Sequence, residues 1–153
     1  MAEFRVGFIG CGNRGMGHLQ GILTEREDTV VTWVCDVYED RVARAQKLLK
    51  DKKNWDAKGT TDYRKLIEAD DVDVVIISSA WDNHLPAAIH AMNCGKQVAT
   101  EVGGAYDLDD CWNLVRTYER TGIQCVMLEN CCYDRGEMMA MRMVRAGIFG
   151  DIV

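Results

Sequence analysis

Short apolar runs alternate with amphipathic segments along the whole chain. Five of the runs have the length and β-branched content of strands, at residues 4–9, 30–35, 74–77, 97–100 and 123–128. Between them, apolar residues recur every three to four positions, which is typical of amphipathic helices. The first predicted helix follows the glycine-rich residues 10–17 and runs to about residue 25. The other predicted helices cover residues 38–50, 85–92, 108–115 and 137–146.

The run Val-Val-Ile-Ile at residues 74–77 shows no alternation of apolar and polar positions. Such a strand is covered on both faces, as the strands of parallel sheets are. Strict alternation of strands and helices then predicts an α/β fold, a doubly wound parallel sheet with right-handed crossovers and helices on both faces. Residues 50–59 are the most polar stretch and are expected to form an exposed loop.

Composition narrows the class of protein. The 153 residues are 48% apolar and 27% charged, which suits one soluble globular domain. The formal charge of -6 argues against nucleic acid as a partner, and no apolar run approaches the roughly 20 residues of a membrane helix. The seven cysteines contain no C-x-x-C pair and fit no zinc pattern, so neither disulfides nor a metal site is expected. Free cysteines of this kind are typical of a reducing compartment, and we therefore expect a cytoplasmic location.

The first predicted strand runs directly into Gly10-Cys11-Gly12-Asn13-Arg14-Gly15, which has the spacing G-x-G-x-x-G. Between a strand and a helix, these glycines allow a tight turn, close approach of backbone to a diphosphate and close packing of helix on strand. The helix N-terminus also offers free N–H donors and a favourable dipole to the anion. Taken alone, the motif is also compatible with a purely structural turn in which Asn13 and Arg14 are simply exposed.

Asp36 ends the second predicted strand, 21 positions after Gly15 (36 minus 15). At that place a carboxylate accepts hydrogen bonds from the ribose hydroxyls of adenosine. It also repels a 2′-phosphate, and no basic residue immediately replaces it, so NAD is favoured over NADP. The alternative interpretation is a solvated turn residue.

Two later segments follow strands, at the edge of the sheet where open α/β folds bind ligands. They are residues 78–84, Ser-Ser-Ala-Trp-Asp-Asn-His, and residues 100–104, Thr-Glu-Val-Gly-Gly. Structural alternatives stand beside the functional ones. Trp81 also suits a packed ring, His84 a hydrogen-bonded histidine near a helix start, and Glu101 a surface carboxylate.

Together, the glycine motif, Asp36, the Ser-Ser-x-Trp-x-x-His run and Glu101 before a glycine-rich turn resemble the glucose–fructose oxidoreductase / inositol dehydrogenase (Gfo/Idh/MocA) family. The resemblance covers essentially the entire chain, as that family's N-terminal NAD-binding Rossmann domain. Within the family, the chain is most similar to NAD-dependent glycoside hydrolases of the alpha-N-acetylgalactosaminidase type. That similarity is carried by residues 81–84, 100–102, 110–112 and 128–133.

One position departs from the dehydrogenases of the family, which carry Glu-Lys-Pro where this chain has Glu101-Val102-Gly103. The lysine of those enzymes assists proton transfer at the oxidised carbon, and a valine can neither donate nor accept a proton. The glycosidase branch lacks the lysine as well, so this departure favours that branch.

The resemblance implies a set of residues around NAD. Tyr133 is a candidate substrate contact, and a packed side chain is the equal alternative there. The candidate cofactor-binding residues are Gly10, Gly12, Asn13, Arg14, Gly15, Asp36, Ser79, Trp81, His84, Glu101, Val102 and Asn130. Catalytic residues are not identified, because the base is expected in a second domain. Residues 1–150 are accordingly expected to form the dinucleotide-binding domain, and residues 151–153 to begin a C-terminal α/β substrate domain.

The implied reaction is cleavage of a glycoside by transient oxidation of its sugar. Bound NAD accepts a hydride from C3, and the resulting ketone acidifies the C2 proton. A base removes this proton as the aglycone is eliminated from C1, water then adds, and the same hydride returns to C3. The implied partner is a sugar or glycoside, the whole protein is expected to be a homo-oligomer, and the isolated domain is expected to be inactive. Two alternatives stay open, an NAD-dependent sugar or polyol dehydrogenase and a non-catalytic NAD(H)-sensing module.

Overall fold

A computed structural model of the chain describes residues 3–21, 23–132 and 134–151. Within these ranges the centre of the molecule is a parallel sheet of six strands, β1 (Phe4–Ile9), β2 (Thr29–Cys35), β3 (Lys58–Thr60), β4 (Val74–Ile77), β5 (Gln97–Thr100) and β6 (Cys125–Met127). The strand order is β3-β2-β1-β4-β5-β6. The predicted doubly wound parallel sheet is therefore confirmed.

The described residues also form six helices, α1 (Asn13–Gly21), α2 (Glu39–Lys53), α3 (Tyr63–Ile67), α4 (His84–Asn93), α5 (Leu108–Thr121) and α6 (Arg135–Arg145). Two short 3-10 turns lie at Leu23–Glu25 and Trp81–Asn83. Across the ranges that the structure covers, no helix combines the length and the apolar character needed to cross a membrane.

The strand order reverses in the middle of the sheet. β1 pairs with β2 on one side and with β4 on the other. At such a switch point the loops that follow the two central strands diverge and leave a crevice at the carboxyl edge of the sheet. Each candidate ligand-binding segment identified in the sequence follows a strand that ends at this edge.

Apolar clusters fill both sides of the sheet, because successive residues of the inner strands point to opposite faces. On one side, Leu19 of α1 and Leu49 of α2 pack with Phe8 of β1. On the other side, Val75 and Ile77 of β4 meet residues of α3 and α4, namely Leu66, Ile67, Ala87, Ala88, Ala91 and Met92. Burial on both faces explains why β4 shows no apolar–polar alternation.

Residues 50–59 are mostly exposed, as expected, but the expectation that they form a loop is wrong. Helix α2 continues to Lys53 and is followed by Asn54, whose φ of 57° is left-handed. Ala57 is buried, and β3 then pairs with β2 at the edge of the sheet. An exposed helix end and a three-residue edge strand bury few side chains, so their composition resembles that of a loop.

The amino-terminal ends of β1 and β4 are joined by an ion pair. Arg5 donates from Nε to Asp73 Oδ2 at 2.9 Å and from Nη2 to Asp73 Oδ1 at 2.6 Å. The backbone N–H of Arg5 adds a bond to Asp73 Oδ2 at 3.0 Å. The side-chain hydrogen bonds from Arg5 lower the pKa of Asp73 from its ordinary value of 3.8 to about 2.

We predict that Asp73→Asn lowers the unfolding temperature at neutral pH by an amount that shrinks in acid. A carboxylate whose pKa falls on folding stabilises the fold above its unfolded pKa, and this contribution is lost as the pH falls through the folded pKa of about 2. Thermal unfolding followed by circular dichroism from about pH 5 to pH 2 measures the difference between the two proteins. A difference that stays constant over this range contradicts the assigned ion pair.

Candidate functional site

The turn between β1 and α1 has room for backbone but little for side chains. Gly10 has a φ of +94°, in the left-handed region, and a Cβ built on it would lie 2.4 Å from the carbonyl carbon of Ser78. A Cβ on Gly15 would lie 1.8 Å from the carbonyl oxygen of Gly10. Helix α1 therefore begins in direct contact with the end of β1, as in a diphosphate-binding corner. Gly12 differs, because a Cβ there would face open space with Arg41 Nη1 3.8 Å away.

Asp36 follows β2 and turns its side chain toward this corner. Its Oδ2 accepts a hydrogen bond from the backbone N–H of Cys11 at 2.8 Å, and its Oδ1 accepts one from the N–H of Tyr38 at 3.1 Å. The residue is only 7% exposed. An ionised carboxylate offers about four lone-pair positions, so these two bonds leave acceptor capacity for ribose hydroxyls.

A positive charge that the sequence reasoning missed lies beside Asp36. Arg41, in the first turn of α2, places Nη1 3.8 Å from Asp36 Oδ1, and its guanidinium lies 4.6 Å from the centre of the Tyr38 ring. Arg41 is not an immediate neighbour of Asp36 in the sequence. It lies in the first turn of the helix that follows Tyr38, and the helical period places its side chain back at the end of β2.

A first cavity, of about 740 Å³, lies on the β2 side of the N-terminus of α1. It extends from the glycine corner past Asp36 and Arg41 to the backbone after β4, where Ser79 borders it. Ser78 borders it too, and its buried hydroxyl oxygen has no hydrogen-bond partner in the described ranges. Open space at Gly12 and this unpartnered hydroxyl both suit a polar ligand.

A second cavity, of about 630 Å³, lies on the other side of α1. Its walls include His18, Leu128 and Asn130. Asn13 and Arg14 border both cavities. The two cavities therefore adjoin at the N-terminus of α1, whose first N–H groups have no partner within the helix.

Glu101 follows β5 and is held by two side chains of α1. Its Oε1 accepts hydrogen bonds from Arg14 Nε at 2.7 Å and from His18 Nε2 at 2.5 Å, and its Oε2 accepts one from the N–H of Val102 at 3.3 Å. Burial raises the pKa of Glu101, but these hydrogen bonds outweigh it and hold the pKa below the ordinary value of 4.5. The carboxylate is therefore ionised at neutral pH and accepts hydrogen bonds.

His18 is a second residue that the sequence reasoning missed. It lies four positions after Arg14, so both side chains occupy one face of α1. The spacing predicts that the two side chains are neighbours on the helix, whereas their shared contact with Glu101 is visible only in the structure.

Trp81 and His84 pack against the glycine turn that follows β5. A Cβ on Gly103 would lie 2.9 Å from the Trp81 ring, and a Cβ on Gly104 would lie 2.5 Å from His84 Cβ. His84 is 1% exposed, and its Nε2 donates to the carbonyl oxygen of Ser79 at 3.0 Å. His84 thus supports the loop after β4 from inside, whereas Trp81 is 60% exposed and accessible to a ligand.

The structure brings most of the predicted site residues to one edge of the sheet. Those that border the first cavity are Gly10, Gly12, Asn13, Arg14, Asp36 and Ser79. Asn130 borders the second cavity with Asn13 and Arg14, and Glu101 and Val102 lie next to it. Gly15, Trp81 and His84 pack behind or beside these walls. Tyr133 lies outside the described residues.

A glycine corner at the start of the first helix, a buried carboxylate after the second strand and a groove across the switch point together define a dinucleotide-binding Rossmann domain. Residues 4–129 match the family model described as "Oxidoreductase family, NAD-binding Rossmann fold". The chain therefore belongs to the Gfo/Idh/MocA oxidoreductase family, and its cofactor is NAD.

Curated relatives match the chain along its whole length. It is 39% identical over 151 residues to a protein of Bacteroides fragilis named alpha-N-acetylgalactosaminidase, covering 97% of this chain and 35% of that protein. It is 40% identical over 157 residues to one of the same name from Shewanella oneidensis, covering 100% of this chain and 34% of that protein. The chain spans about a third of the length of these relatives.

Solved structures share the fold. Apo scyllo-inositol dehydrogenase from Lactobacillus casei superimposes with a TM-score of 0.88 at 22% identity, covering 99% of this chain and 44% of that chain. A structure of the same enzyme with NAD(H) and scyllo-inositol gives 0.88 at 22% identity, covering 98% and 43%. At this level of identity the likeness supports the fold of the domain.

We predict that Gly15→Ala destabilises the domain by about 1–3 kcal/mol, as expected for a methyl group forced into a packed site. Gly17→Ala, in the same helix, is the matched control, because a Cβ there meets nothing within 4 Å. Removing a glycine from an open helical position is expected to stabilise the fold by roughly 0.5–1 kcal/mol. Urea unfolding measures both, and equal effects of the two substitutions contradict the close approach of α1 to β1.

Proposed function

We propose that the chain binds NAD in an extended conformation across the N-terminus of α1. Adenosine occupies the first cavity, the diphosphate lies on the glycine corner and the nicotinamide end occupies the second cavity. The observation that carries this proposal is the meeting of the two cavities at Asn13 and Arg14. A dinucleotide has two nucleoside halves joined by a diphosphate, and this groove has the corresponding three parts.

The diphosphate is held mainly by backbone. The first N–H groups of α1 have no partner within the helix, and the helix dipole favours an anion there. Gly12 leaves room for the phosphate oxygens, because no side chain projects from it. Arg14 uses Nε for Glu101, which leaves its terminal N–H groups for the diphosphate.

Adenosine is positioned by Asp36. Its two oxygens are oriented by the N–H groups of Cys11 and Tyr38, and they accept the ribose hydroxyls with their remaining lone pairs. A 2′-phosphate would meet this charge directly, which favours NAD over NADP. Arg41 weakens the repulsion, since its guanidinium lies 3.8 Å from the same carboxylate.

The nicotinamide end lies over β4, β5 and β6. Glu101 offers a carboxylate oxygen, Asn130 an amide and Trp81 an exposed ring beside this half of the groove. Bound NAD supplies a hydride acceptor for one sugar carbon and, once reduced, a hydride donor to the same carbon. Val102 has no proton to exchange, so it only borders the reacting region.

For the whole protein, we propose glycoside hydrolysis by transient oxidation of the sugar. The support is the 39–40% identity to relatives named alpha-N-acetylgalactosaminidase, together with Val102 at the position of the dehydrogenase lysine. The sugar-binding residues and the catalytic base are assigned to the part of the protein beyond the third that this chain represents. The chain alone is proposed to bind NAD(H) without turnover.

We predict that Asp36→Asn weakens NADH binding about ten-fold or more, because a hydrogen bond to a charged group contributes about 1.5–3 kcal/mol. NADPH binding weakens less, since the repulsion of its 2′-phosphate is removed while Arg41 remains. Fluorescence titration with both cofactors measures the change.

Asp40→Asn is the matched control for Asp36→Asn, because it removes the same charge from an exposed position in the first turn of α2. It is expected to leave NADH affinity almost unchanged. Equal losses of NADH and NADPH binding in Asp36→Asn, or no loss at all, contradict the assignment of this carboxylate to the adenosine ribose.

In the whole protein, we predict release of the aglycone from a chromogenic α-N-acetylgalactosaminide without accumulation of NADH, because each hydride returns to the sugar that supplied it. Absorbance of the aglycone and of NADH is recorded in the same reaction. Steady NADH production from a free sugar, without glycoside cleavage, contradicts the hydrolase and identifies a dehydrogenase.

A further inference from the structure

We propose that His18 is the positioning residue for the nicotinamide side of the site. It fixes Glu101 so that one carboxylate oxygen, Oε2, is presented to a hydroxyl group of the nicotinamide ribose. This inference rests on the proposed binding of NAD in the groove. His18 lies outside both the glycine motif and the segment that follows β5.

The two oxygens of Glu101 have different surroundings. Oε1 accepts both side-chain hydrogen bonds, from His18 Nε2 at 2.5 Å and Arg14 Nε at 2.7 Å. Oε2 accepts only the longer bond from the adjacent N–H of Val102, at 3.3 Å, within the described ranges. One oxygen is therefore anchored to α1, and the other keeps its acceptor capacity for a ligand.

His18 is the better protected of the two anchors. The His18 and Glu101 side chains are 11% and 12% exposed, whereas the Arg14 side chain is 54% exposed. A hydrogen bond away from water is electrostatically stronger than an exposed one. Arg14 also borders both cavities, and in the proposed complex it shares its guanidinium between Glu101 and the diphosphate, whereas His18 bonds Glu101 alone within the described residues.

The anchoring bond does not require a charged imidazole. Because a carboxylate only accepts, Nε2 of His18 must carry a proton and donate it. The neutral Nε2–H tautomer and the imidazolium both meet this requirement. A side chain with an N–H donor at the same reach therefore replaces His18, and a side chain without one does not.

The test compares NADH with ADP, which has the adenosine and the diphosphate but lacks the second ribose. We expect His18→Leu to weaken NADH binding about ten-fold while ADP affinity stays nearly constant, as for loss of one hydrogen bond to a charged group. His18→Gln restores most of the NADH affinity through its amide N–H. Calorimetric titration measures both ligands, and unchanged ADP binding shows that the glycine corner is intact.

His90 provides the matched control. Its Nε2 bonds Glu68 Oε1 at 3.0 Å, which repeats the histidine–glutamate pair on the far side of the sheet. His90→Leu is expected to leave the ratio of NADH to ADP affinity unchanged. If His18→Leu does not fold, His18→Asn takes its place, because its amide is too short to reach Glu101.

A double-mutant cycle decides whether His18 acts through Glu101. Glu101→Ala should lower NADH affinity by a similar factor, and adding His18→Leu to it should cause no further loss. An unchanged NADH-to-ADP ratio in His18→Leu, or additive losses in the double variant, overturns the positioning role. Failure of the wild-type chain to bind either ligand overturns the proposed function and this inference with it.

Discussion

The close approach of helix α1 to the end of β1 is the constraint on which the rest of the site depends. A single methyl group at Gly15 would lie 1.8 Å from the Gly10 carbonyl oxygen, far closer than van der Waals contact allows. Without this contact, the first N–H groups of α1 would not point into the groove. The hydrogen bond from Cys11 to Asp36 then ties the same turn to the end of β2. These two contacts set the distance between the first turn of α1 and the Asp36 carboxylate, which are the proposed diphosphate site and the proposed ribose acceptor.

The remaining parts of the site follow from the order of the strands. Because β1 and β4 are neighbours, the crevice opens between their loops, with β2 on one side and β5 and β6 on the other. Asp36 and Arg41 accordingly lie at one end, and Glu101 and Asn130 at the other. Each end of the crevice therefore has one carboxylate, Asp36 or Glu101, and each is oriented by hydrogen-bond donors from a neighbouring element.

The sequence predicts those features that depend on residues close together along the chain. Buried strands such as β4 are continuous apolar runs, and the glycine corner and Asp36 have a fixed spacing. Features that depend on three-dimensional proximity are less accessible. His18 and Glu101 are 83 positions apart in the sequence, and only the fold brings their side chains within hydrogen-bond distance. The polar composition of residues 50–59 does not predict β3, because an edge strand of three residues buries few side chains and so needs few apolar residues.

Proteins that resemble this chain in fold and proteins that resemble it in sequence carry different names. Structural neighbours that share the fold are named as dehydrogenases, whereas relatives at about 40% identity are named as hydrolases. Val102 has no side-chain proton to exchange, and its backbone N–H is one of the donors that orient Glu101.

The most direct test of this account is a map of backbone amide chemical shifts as NAD is added to the isotope-labelled chain. We expect the largest changes at Gly12–Gly15, where the diphosphate is proposed to bind. We also expect large changes at the N–H groups of Cys11 and Tyr38, because both bond the carboxylate that is proposed to accept the ribose hydroxyls. Changes confined to another surface, or absent at these amides under saturating cofactor, would contradict it.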